Sequence, residues 1–269
     1  MKKVFSVLLC AIMLLSFVNP SQSIKAISTN KDLSFANQRL PRDQKIISNL
    51  KLPNEIKYTI TKVDEGIVEI SFDFPKSYSQ SQIIDVIEKV QAAIASDKSI
   101  NPIVLPDLNN VGIEGGPVGT ITNYYFSGSQ NFTGRYGETI YNSTYGQLTS
   151  TRYEYWYYMV VTGTSAGVVN NISTHYSGLK IDTTVHIWGV VVGGSASNSG
   201  FSLSISPGVV AEFHREWNST GRYIILDWGQ LITYALNAYK LGVDNTVWVD
   251  NSGFVDPYHI YVPRWLYEF

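Results

Sequence analysis

The residues able to do chemistry in this chain are few and widely spaced. Gly163-Thr164-Ser165-Ala166-Gly167 matches G-x-S-x-G, the pattern that presents a nucleophilic serine on a strand-to-helix turn. A strand-like run precedes it. The sequel, Val168-Val169-Asn170-Asn171-Ile172-Ser173, is β-branched and Asn-rich where a helix should open. Asp256 and His259 follow in suitable order for a triad, but order alone specifies little. A glycine-rich hairpin turn is the simpler reading, and Ser165 is a weak catalytic candidate.

Paired carboxylates are the second chemistry. Glycoside cleavage needs two acidic side chains facing across a cleft, about 5–9 Å apart. The strand-borne acids are Glu154, Asp182, Glu212 and Asp227, and Glu154 with Glu212 is the pair to test. Either acid can equally be solvated or paired with Arg152, Arg215 or Arg222. The four histidines, His175, His186, His214 and His259, lack the close spacing of a metal motif. No metal site and no cofactor is expected.

The third chemistry is binding by aromatic surface. The chain holds 6 Trp and 18 Tyr. Such side chains favour places with one dry and one wet side, although many serve as core. Trp156, Tyr158 and Trp188 are the binding candidates. The partner expected is an extracellular ligand, a glycan or a protein surface. A formal net charge of −2 gives no reason to expect a nucleic acid.

The elements that must position these residues read mainly as strands. Residues 152–161, RYEYWYYMVV, are the densest aromatic and β-branched run and read as one central strand covered on both sides. Further strands are expected at 120–127, 137–141, 168–175, 179–192, 201–206, 209–217, 222–228, 246–250 and 259–266. Gly/Ser/Asn-rich loops should separate them, notably GGSASNSG at 193–200. Residues 230–241 fit a helix or a strand almost equally. The expected fold is mainly β, an antiparallel sandwich or barrel-like domain preceded by a small ββα unit.

That unit is legible in detail. Residues 57–74 alternate around Asp64-Glu65-Gly66 as a hairpin, and Pro75 ends it. Ser79 or Ser81 then caps a helix to about Ser96, with Ile83, Ile84, Ile87, Val90, Ala93 and Ile94 as its apolar stripe.

Composition divides the chain. Residues 1–23 have the basic start, short apolar run and small polar end of a secretory signal. Residues 24–56 read as a polar arm, disordered or loosely helical. Residues 57–104 are the α+β unit, an ordinary subdomain or a pro-region. Residues 105–118 concentrate Gly, Pro and Asn as a linker, and 119–269 form the aromatic-rich β domain. All the Trp lie in this last part. The single cysteine, Cys10, falls in the leader, so the exported chain is expected to be disulfide-free, extracellular and bacterial. The sequons at Asn131, Asn142, Asn171 and Asn218 are taken as chance in an Asn/Ser/Thr-rich chain.

The leading functional expectation is a non-catalytic extracellular binding protein. The alternatives are a glycan-active hydrolase and a β-pore-forming or membrane-interacting protein. The C-terminus alternates Tyr261, Pro263, Trp265, Tyr267, Phe269 like the last strand of an outer-membrane barrel. The Ser/Thr/Gly-rich run 160–206 resembles the amphipathic hairpins of β-pore-forming toxins. In it, 168–175 and 179–192 would pair through a turn at Tyr176-Ser177-Gly178. An ordinary sandwich strand explains 179–192 as well, with Ile181, Val185 and Ile187 on the core and Trp188 partly exposed.

Overall fold

The structure is a computed structural model. It describes residues 32–62, 67–97, 117–153, 157–197, 200–235 and 237–266. In chain order the elements are α1 (Asp32–Asn49), β1 (Lys57–Lys62), β2 (Val68–Asp73) and α2 (Gln80–Ser96). There follow β3 (Pro117–Thr133), β4 (Thr139–Tyr153), β5 (Tyr157–Asn170), β6 (Gly178–Ser197), β7 (Gly200–Ser219), β8 (Tyr223–Ala235), β9 (Ala238–Asp250) and β10 (Val255–Trp265). They form two antiparallel sheets packed as a sandwich. One is six-stranded, in the order β1-β2-β8-β5-β4-β3. The other is four-stranded, in the order β10-β9-β6-β7.

The expected hairpin of the N-terminal unit is present, with Lys57 to Lys62 of β1 paired against Asp73 to Val68 of β2. Its turn, 63–66, lies outside the described residues. β2 then pairs with β8 from Val68↔Asp227 to Ser71↔Ile224, so the hairpin extends the six-stranded sheet. Ser79 caps α2 by accepting from the Gln82 N–H, and its own N–H donates in return to the Gln82 side chain, a capping box that satisfies two otherwise orphaned N–H groups. The helix buries Ile83, Val86, Ile87, Val90 and Ile94 against Val68, Ile70, Tyr141, Ala166 and Val168. One face of α2 is thus spent on the outer face of the six-stranded sheet.

α1 docks nearby through charge as well as apolar contact. Ile47 is buried in the same cluster. Arg39 lies 3.5 Å from Asp227 of β8, and Arg42 pairs with both Asp227 and Asp43. All four groups are buried or nearly so, so each charge depends on the others for solvation. Burial, together with the neighbouring Asp227 carboxylate, pushes Asp43 up to about 7, against the lowering pull of Arg42 and Arg39.

Between the sheets the interior is not uniformly apolar. Ser165 of β5 bonds Thr183 of β6 at 2.8 Å, and Thr183 donates to Asn245 of β9 at 2.7 Å. Asn245 in turn donates to the Asn142 side chain at 2.6 Å and to the Ser143 carbonyl at 3.2 Å. This fully buried polar seam divides the core into two apolar halves. One holds Phe126, Leu148, Val185, Ile187, Trp228, Val243 and Val262, the other Ile140, Ile181, Leu226 and Val247.

Several segment limits differ from expectation. The strands are fewer and much longer, 11 to 20 residues from β3 to β10. Small residues read as loop formers instead let rings cross the sheet. A Cβ on Gly163 would sit 2.4 Å from the Trp228 ring, so the bare backbone makes room for the largest core side chain. The G-x-S-x-G stretch is therefore the middle of β5, not a turn. Residues 152–161 are not one strand: β4 ends at Tyr153 and β5 begins at Tyr157, and β5 is one of the two central strands of its sheet. Residues 230–235 and 238–241 are strand, the end of β8 and the start of β9. The pairing expected between 168–175 and 179–192 does not occur. β5 stays in the six-stranded sheet, and the chain crosses to the other sheet before β6.

Candidate functional site

The helices pack on the six-stranded sheet, and the outer face of the four-stranded sheet carries half-buried and exposed side chains. Strand alternation decides which residues stand there. In β6, Ile181, Thr183, Val185 and Ile187 are buried inward. Lys180, Asp182, Thr184, His186 and Trp188 therefore point outward. Lys240, Asp244, Thr246 and Trp248 of β9 do the same, as do Glu212, His214 and Glu216 of β7 and His259, Tyr261 and Trp265 of β10.

Antiparallel register turns this list into a lattice. His186 faces Glu212 across β7 at 3.3 Å and Asp244 on the β9 side at 3.5 Å. His259 reaches the same Asp244 at 2.9 Å. His214 lies 3.3 Å from Asp182 and 3.9 Å from Glu216. Asp182, His214 and Glu216 converge closely enough to hold a divalent ion, but the Lys180 ammonium already stands 3.1 Å from Glu216. Three of the chain's four histidines thus share one sheet face with four carboxylates. Sequence spacing hid this because most of the partners sit on adjacent strands, well apart in the chain.

At one end of this face the lattice gives way to rings. The Lys240 ammonium lies 4.6 Å from the Trp188 centroid, 5.2 Å from Tyr261 and 5.5 Å from Trp265. His186 packs against Trp188 at 5.2 Å, and Tyr239 stacks on Trp265 at 6.3 Å. Each cation–ring contact is worth about 0.5–1 kcal/mol at an exposed site. Trp265 is still 50% exposed and Tyr261 40%. The cluster is an amphipathic rim, with rings held by a cation and their outer edges wet.

The same level of the sheet carries two irregularities. Ile187 pairs with Ala211 but Trp188 with Val209, leaving Val210 as an extra residue in β7. Trp188 pairs with Lys240 but Gly189 with Ala238, leaving Tyr239 extra in β9. Bulges bend and twist a strand. Here both neighbours of β6 bulge beside Trp188-Gly189, so the ladder swivels at that point. Only glycine fits at 189, where a Cβ would lie 2.1 Å from the Asn237 carbonyl oxygen.

The residues singled out from sequence fall in different places. Trp188 is in the rim. Glu212 is exposed on the lattice beside His186. Glu154 and Trp156 lie outside the described residues. Tyr158 is buried at 4% exposure and Ser165 at 0%, so neither meets solvent. Ser165 is bonded to Thr183, while Asp256 is bonded to Arg135 and His259 to Asp244, so the three do not form a triad. Asn142 is fully buried and cannot carry a glycan. Lys240, Tyr261 and Trp265 were not named as binding residues, although the alternation of aromatics near the C-terminus was their signal. No protein-family model and no curated protein sequence matches the chain.

Proposed function

We propose that this protein is a non-catalytic extracellular binding protein whose ligand is a lipid–water interface. It docks through the end of the sandwich that carries Trp188, Tyr239, Lys240, Tyr261 and Trp265. The observation that carries this reading is the rim itself. Trp and Tyr rings with an apolar body and a polar edge settle at headgroup depth, and a lysine there keeps its ammonium at the polar boundary. The exposed rings sit where the four-stranded sheet ends. The charged His–carboxylate lattice lies farther along the strands, where it would remain in water.

No helix among the described residues is long and apolar enough to cross a membrane, so contact would be made by strands and rim. The test is co-sedimentation with phosphatidylcholine vesicles. Wild type should partition into the pellet. Tyr261→Ser with Trp265→Ser, both at exposed positions, should lower partitioning about tenfold with an unchanged circular dichroism spectrum, the burial of two ring faces being worth about that much. Wild type remaining in the supernatant would overturn the reading.

A further inference from the structure

We infer that the projecting arm of β6 and β7 is a membrane-spanning hairpin, and that copies of this chain assemble around their arms into a water-filled β-barrel. This rests on the docking reading above and goes beyond it. The ladder is the first support. β6 keeps β9 as a neighbour only as far as Gly189↔Ala238. β6 and β7 continue alone from Val190↔Pro207 to Ser197↔Gly200, eight further pairs. The arm thus leaves the sheet at the double bulge, just beyond the aromatic rim.

Charge is the second support. From Ile187 to Ala211 there is no Asp, Glu, Lys, Arg or His. The in-sheet parts of the same two strands carry Lys180, Asp182, His186, Glu212, His214, Arg215 and Glu216. Charge therefore stops where the arm begins. A solvated hairpin has no need of that, whereas a strand in hydrocarbon does.

Register is the third. Val192 pairs with Ile205, Gly194 with Leu203 and Ala196 with Phe201. The alternate pairs are Val191 with Ser206, Gly193 with Ser204 and Ser195 with Ser202. Successive pairs belong to opposite faces of a ribbon, so one face is apolar and the other is small and hydroxyl-rich. That is the division between lipid and lumen in a membrane barrel. Eight pairs at a rise of about 3.4 Å give an arm about 27 Å long. The apolar band of such barrels is about 25 Å tall and is bounded by aromatic girdles. Trp188, Tyr261 and Trp265 stand where one girdle would be.

A single arm cannot do this alone. Its two outer edges would leave backbone N–H and C=O groups unpaired in hydrocarbon, which only closure into a barrel relieves. Each copy supplies two strands, so the barrel has an even number of strands. Pro207 lacks an N–H, but it sits at the base of the arm on the edge strand.

The test uses single cysteines in a Cys10→Ser background, each labelled with an environment-sensitive dye. Cysteine at 192, 194, 196, 201, 203 or 205 should show raised, blue-shifted emission on phosphatidylcholine vesicles, quenched by nitroxide-labelled lipid. Cysteine at 193, 195, 202 or 204 should stay water-like. The unlabelled protein should release vesicle contents and form ladder-like oligomers. Leu203→Asp should keep vesicle binding and lose release at least tenfold. If the protein sediments with vesicles but the emission does not alternate and nothing is released, the insertion proposal fails and the docking reading stands. Oligomers that form equally without vesicles would also overturn it, showing arms paired edge to edge in water. If vesicles are not bound at all, both fail.

Discussion

Asp43 shows how a single residue in this chain can be read. Its carboxyl is surrounded by Arg39, Arg42 and Asp227, and burial pushes it up to about 7. A folded-state value above the unfolded one means the folded protein binds the extra proton between the two. Stability from this group is therefore gained as pH falls from about 7 toward about 4, and lost as pH rises. The urea midpoint should be higher at pH 6 than at pH 8, and the difference should shrink in Asp43→Asn. A variant with the same pH dependence as wild type would show that another group is responsible. Residues of this kind were the least legible in the sequence. Tyr158 and Trp188 looked equivalent as aromatic strand residues, yet one is buried and the other stands in the rim. Which face a side chain takes depends on register against strands far away in the chain. The His–carboxylate lattice was invisible for the same reason.

At the scale of elements, the polar seam makes the clearest demand. Asn245 accepts from Thr183 and donates to Asn142 and Ser143. Asn245→Leu removes those partners while leaving the other groups buried, and each orphan costs about 1–3 kcal/mol. The variant should unfold several degrees lower than wild type. A loss no larger than that of an exposed substitution such as Lys89→Ala would mean the seam does not pin the sheets. Gly189→Val tests the swivel. Its added carbons meet the Asn237 carbonyl, and overpacking of this kind costs about 1–3 kcal/mol. Much of this level was legible. The capped helix, the N-terminal hairpin and the sandwich class follow from period and turn chemistry. Strand lengths were not, because Gly, Ser and Thr inside β4–β7 read locally as loop. They are kept in strands by ring crossings such as Trp228 over Gly163 and by buried hydroxyl pairs, both long-range.

The whole molecule combines a covered sheet with an open one. β2 pairs with β8, and α2 buries its apolar face against β4 and β5. The breaker-rich stretch 98–116 lies outside the described residues, and its composition makes it the expected site of first proteolysis. The two fragments should nevertheless co-elute in gel filtration under native conditions, held by that pairing and core. Separation on cutting would show that the N-terminal unit is only tethered. The open sheet, in contrast, ends in the amphipathic rim, and the account turns on what that rim touches. Its most direct test is quenching of tryptophan fluorescence by brominated phosphatidylcholine vesicles. Trp228 is in the core, and Trp217 and Trp248 stand opposite Ile181 and Lys180, about seven residues or roughly 24 Å along β6 from Trp188. Measured in a Trp156→Phe background, quenching should be clear with Trp188 and Trp265 present and largely abolished when Trp188→Phe and Trp265→Phe are added. Quenching that survives the loss of both rings, or is absent from the start, would contradict docking through this end.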